Sequence, residues 1–87
     1  MALFIIEREF AEQLELDSQA VRQTLEVNEE IGVQWLFSFL SADKKKTYCL
    51  YEAKDPALLR EHARVLGIPA DVIVEVTQLE PEALLQG

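Results

Sequence analysis

The chain has 87 residues, of which 49% are hydrophobic and 28% charged, with 16 acidic side chains against 8 basic ones and a formal net charge of −8. That composition suits one folded domain near the small end of what folds alone, and it argues against disorder over most of the length. The acidic balance repels phosphates, which sets nucleic acid aside as a partner.

Leu3 to Phe10, rich in Phe and Ile, reads as a first strand, followed by a loop through Leu16 that has no clean helical face. Asp17 or Ser18 can accept the unpaired amide protons of a helix start, and Val21, Leu25, Asn28 and Gly32 recur at helical spacing behind it. Gly32 ends that helix. Val33 to Ser41 and Lys46 to Ala53 are dense in aromatic and aliphatic residues and flank a charged turn, which predicts a hairpin. The Lys44, Lys45, Lys46 run falls at its tip and reads as a solvated turn.

Asp55 followed by Pro56 is a strong helix-start signal, and Gly67 with Pro69 stops the second helix near Leu66. Asp71 to Leu79 alternates Val72, Val74 and Val76 against Ile73, Glu75 and Thr77, the period of a last strand. The order strand, helix, strand, strand, helix, strand predicts an α+β fold of ferredoxin-like βαββαβ type, a four-stranded antiparallel sheet with two helices on one face. Residues 1–79 form the single domain of this reading. Residues 80–87 form a C-terminal tail able to dock as a short helix through Leu84 and Leu85 or to fray.

The single cysteine requires no oxidising compartment, and the apolar run Ala2 to Ile6 is too short for a signal-peptide core. With no apolar stretch of about 18 residues to cross a membrane, the expectation is a cytoplasmic protein without membrane or nucleic-acid partners.

Strict alternation would place Val33, Trp35, Phe37 and Phe39 on one face of the second strand, and Leu3, Ile5 and Glu7 opposite Phe4, Ile6 and Arg8 on the first. Both sheet faces then carry apolar area, more than a monomer usually exposes. Covering about 500 Å² per subunit is worth on the order of 12 kcal/mol before association costs. A homodimer through the open face is the expected solution, with the two copies enclosing the space in which a ligand sits.

No nucleophilic triad or phosphate-binding glycine loop is present. The best borderline or soft metal ligands by residue type are His62 and Cys49. His62 lies on the helical stripe of Leu59, Ala63 and Leu66, where a packed core histidine is the plainer reading, and Cys49 is equally a small buried strand residue. Glu7, Glu9, Glu52 and Glu75 fall on strands, where a carboxylate could complete a metal site or serve as acid or base.

The strings I-G-V-Q-W-L-F-S-F, K-T-Y-C-L-Y-E-A and R-E-H-A-R-V-L-G-I-P-A-D-V-I, together with I-E-R-E near the start, resemble a family of small bacterial ferredoxin-like proteins that includes a nickel-binding member. The resemblance runs from Leu3 to about Leu79. It implies a homodimer of βαββαβ subunits that binds nickel or another divalent transition metal, with His62, Cys49 and Glu7 as metal-site candidates. A family position of His or Glu in the stretch Trp35 to Phe39 is Phe37 here, whose ring cannot ligate.

The leading expectation is therefore a small dimeric ligand-binding protein, with binding favoured over catalysis and no catalytic residue assigned. Two other classes fit the same pattern. One is a cofactor-independent oxygenase or isomerase of the dimeric α+β-barrel type that shelters a hydrophobic substrate between sheet and helices, in which His62 accepts a proton, Tyr48 or Tyr51 orients the substrate, and Trp35, Phe37 and Phe39 line the cavity. The other is a structural module whose open sheet binds another protein.

Overall fold

Seven elements make up the computed structural model, which describes residues 1–85: β1 (Ala2–Glu9), α1 (Ser18–Ile31), β2 (Gln34–Leu40), β3 (Lys46–Ala53), α2 (Pro56–Leu66), β4 (Val72–Val76) and α3 (Pro81–Leu85). The four strands form an antiparallel sheet in the order β2-β3-β1-β4. Because β1 and β2 are both antiparallel to β3, they run parallel to each other with β3 inserted between them. In the second half, β1 likewise separates β3 from β4.

Local chemistry sets the helix limits. The Asp17 side chain accepts from the Ala20 amide at 2.8 Å to open α1, and Asp55 accepts from Ala57 at 2.8 Å to open α2. Each helix closes on a glycine in the left-handed region, Gly32 at φ 92° and Gly67 at φ 67°, a conformation that a side chain would oppose. At the hairpin tip, Asp43 accepts from the Ser41 hydroxyl at 2.7 Å and the Lys45 amide at 3.0 Å. These donors hold its carboxyl below the usual carboxylate range, the hydroxyl acting most strongly.

The core lies on one face of the sheet. Phe4 and Ile6 of β1 and Cys49, Tyr51 and Ala53 of β3 are buried there with Leu59 of α2, and Ile31, Trp35, Leu58 and Ile73 pack around them. On β1 the burial alternates residue by residue, as an amphipathic strand requires.

Strand β2 departs from the expected alternation. Its register with β3 pairs Trp35 with Tyr51 and then Phe37 with Leu50, so Leu36 is an extra residue at a β-bulge. The bulge swaps the faces beyond it: Trp35, Ser38 and Leu40 share the helix side with Tyr51, Cys49 and Thr47, while Phe37 and Phe39 stand on the open side. The grouping of Trp35 with Phe37 and Phe39 is thereby corrected.

In the tail, residues 81–85 form a short helix, but Leu84 and Leu85 remain exposed rather than docked. Residues 86 and 87, the end of the expected tail, lie outside the described residues. No helix among the described residues is long and apolar enough to cross a membrane.

Candidate functional site

Four elements deliver polar side chains into the core beneath the helices. On α2, the spacing that buries Leu59 and Ala63 also buries His62, which has no exposed surface. On the last turn of α1, Asn28 is buried on the same side, its carbonyl accepting from the amides of Gly32 at 2.8 Å and Val33 at 3.0 Å. Strand β1 supplies Arg8, only 3% exposed, in line with Phe4 and Ile6. Strand β3 supplies Tyr51.

These four groups form one network. Arg8 donates from Nη1 to the Pro69 carbonyl at 2.7 Å, and its Nη2 lies 2.9 Å from His62 Nε2. A guanidinium can only donate, so Nε2 must carry the lone pair and the ring proton must sit on Nδ1. That proton is donated to Asn28 Oδ1, and the Asn28 amide donates in turn to the Tyr51 hydroxyl at 3.5 Å. His62 is thus a neutral imidazole in a fixed tautomer. Burial first, and then the Arg8 charge, lower its pKa from the ordinary 6.5 to about 4.

Aromatic packing reinforces the network. The Tyr51 ring meets His62 edge to face at 5.0 Å and lies parallel to Trp35 at 6.4 Å between centroids. Burial pushes the Tyr51 phenol up to about 12. Trp35 donates through Nε1 to Ser38 Oγ at 2.8 Å, a contact that the Leu36 bulge permits by placing both on one face. Among the described residues no buried side-chain nitrogen or oxygen lacks a hydrogen-bond partner.

Next to this network is a cavity of about 270 Å³. The sheet contributes Arg8, Ser38, Thr47, Cys49 and Tyr51 to its lining, and Trp35, Phe10, Leu14, Leu16 and Ile68 supply much of its apolar wall. Leu16 and Leu40, both about half exposed, mark its mouth. His62 does not line it, being sealed behind Arg8 and Tyr51. This space lies within one copy, on the helix side of the sheet.

The residues proposed from the sequence for a metal are not drawn together. His62 and Cys49 share the helix side, but both His62 nitrogens are engaged, and the Cys49 thiol lies 3.6 Å from Thr47 Oγ1. Glu7 is on the open side, paired with Lys46 at 2.9 Å. No group of three His, Cys, Asp or Glu side chains suited to a metal ion occurs among the described residues. Among the described residues, the donor set of a single copy does not fit a nickel centre.

Sequence reasoning overlooked Arg8 and Asn28 as site residues, although each carried a signal. Arg8 continues the face of Phe4 and Ile6, and Asn28 sits on the apolar stripe of α1; a polar residue in step with a buried face needs a buried partner.

In comparisons with known proteins, none of the curated proteins matches the chain. A solved structure, that of SCO4226 from Streptomyces coelicolor A3(2), shares its fold with a TM-score of 0.77 at 22% identity, covering 91% of this chain and 100% of the other. The family model for nickel responsive proteins of the SCO4226-like type matches residues 4–76, from within β1 to the end of β4, and the chain belongs to that family.

Proposed function

We propose that the protein is a small ligand-binding protein, dimeric through its open sheet face, with its ligand site in the cavity between sheet and helices. The cavity carries this reading: apolar walls give bulk, and a few fixed polar groups on the sheet give orientation. The oxygenase or isomerase reading needs a proton acceptor facing the substrate. His62 faces away, and binding is the better account.

Trp35 is the only tryptophan and lines the cavity, so its emission reports occupancy. Small apolar compounds should shift it saturably, and Ala20→Phe, which fills the helix wall, should abolish the response. Silence across a panel of neutral and charged compounds would sink the reading.

The ferredoxin-like description is supported by the split βαβ halves, each opened by a strand of the other. The dimer is supported by the composition of the open face. Phe37, Phe39, Tyr48, Val72 and Val74 are exposed there, beside Leu3, Ile5, Leu50 and Val76. The charged strand residues of that face are Glu7, Glu9 and Glu52 against Lys46, which pairs with Glu7 at 2.9 Å and lies 4.0 Å from Glu9. Phe37→Asp should halve the mass in sedimentation.

Nickel enters the proposal through the family alone. Titrating metal-free protein with nickel, beside a His62→Ala variant, tests it: saturable binding that the variant leaves intact would move the ion away from His62, and no binding would remove it.

A further inference from the structure

We infer that the cavity takes a small amphipathic monoanion, a monocarboxylic acid with a short aliphatic or aromatic body, held through its carboxylate by Arg8. The inference rests on the ligand-binding reading above and adds the chemical class of the ligand.

Arg8 is the starting point because it is a permanent cation in the interior. Both of its partners are neutral, the Pro69 carbonyl and the lone pair of His62. Among the described residues no carboxylate pairs with it, although acidic side chains outnumber basic ones two to one in this chain and both Lys46 and Arg64 have carboxylate partners. A buried charge without a counter-charge is costly. The counter-charge it calls for is an anion entering the cavity that Arg8 lines.

The network also leaves Arg8 able to bind one. Two of its N–H groups are engaged, and a guanidinium has five in a fork that matches a carboxylate. Ser38 Oγ accepts from Trp35, so its own proton is left to donate, and the hydroxyls of Thr47 and Tyr51 lie on the same lining. All these groups are on the sheet side, and the apolar residues around Trp35 would receive the body of the ligand.

The lining bounds the charge and size of the ligand. It holds one cation, with no lysine or second arginine beside it, so a doubly charged phosphate would be left half neutralised. A volume of about 270 Å³ is at the lower edge of small-molecule sites, too small for a nucleotide or a lipid.

The test is a Trp35 fluorescence titration of the intact protein at neutral pH with octanoate and phenylacetate, against octanol, 2-phenylethanol and octyl phosphate. The acids should bind at least tenfold more tightly than the alcohols of matching body. Arg8→Gln should reduce that preference to less than twofold, and Arg8→Lys should retain part of it. Equal binding of acids and alcohols to the wild type would overturn the charge class while leaving the cavity as a binding site. Octyl phosphate binding as tightly as octanoate would also overturn it. No response to any compound would overturn both readings. The wild-type ratios decide the matter even if Arg8→Gln does not fold.

Discussion

On β1, neighbouring residues occupy opposite settings: Phe4, Ile6 and Arg8 are sealed beneath the helices, while Leu3, Ile5 and Glu7 stand on the uncovered side. The same division runs along β3, where Thr47, Cys49 and Tyr51 are buried and Tyr48 is exposed. The covered side contains the polar network and the cavity, although burial is usually reserved for apolar groups. The uncovered side is largely apolar, although it meets water in a single copy. Each face thus departs from the ordinary rule in the direction that a binding partner would relieve, a small ligand on one side and a second chain on the other.

Substitutions at Ile6 and Ile5 separate the two faces most sharply. Ile6 has no exposed surface and touches the core, so Ile6→Ala should lower unfolding free energy by about 2 to 5 kcal/mol at any protein concentration. Ile5→Ala should cost less, and its effect should grow with protein concentration because that side chain is buried further only on pairing. Chemical denaturation of both variants at two concentrations checks this. Equal costs that do not vary with concentration would argue against a dimer through the open face.

Acid should weaken the covered face next. His62 has a folded pKa of about 4 against 6.5 when unfolded, so the unfolded chain takes up a proton first as pH falls. The stability it contributes is complete above about pH 6.5 and is lost as pH drops toward 4, by about 3 kcal/mol in all. It is the only histidine, so the upper part of that window is its own. His62→Gln should flatten the slope of stability between pH 5 and 6.5, as followed by urea denaturation. An unchanged slope would mean that the ring is not held neutral between Arg8 and Asn28.

Much of this architecture was legible from local patterns. Asp17, Asp55, Pro56, Gly32 and Gly67 mark helix ends by chemistry that acts within a few residues, and the α2 stripe placed His62 inward. Two things were not legible. The Leu36 bulge depends on how β2 registers with β3, a non-local pairing, and it moved Phe37 and Phe39 away from Trp35. The Arg8, His62, Asn28 and Tyr51 network joins residues up to 54 positions apart, and no spacing rule connects a strand arginine to a histidine on the second helix. The cavity follows from the same closure.

The smallest contrast lies within one strand, between Tyr51 and Tyr48, whose hydroxyls sit on opposite sides of β3. Tyr51→Phe removes the acceptor for the Asn28 amide, leaving a buried donor unpaired, and should cost about 1 kcal/mol. Tyr48→Phe removes a hydroxyl from an exposed ring and should remain within about 0.5 kcal/mol. Paired denaturation curves resolve the difference, and a high-pH ultraviolet titration adds an independent readout. Burial pushes the Tyr51 phenol up to about 12, so the latest tyrosinate signal should disappear in Tyr51→Phe and persist in Tyr48→Phe. If both substitutions were neutral, the 3.5 Å contact would be no more than proximity, and the network would end at Asn28.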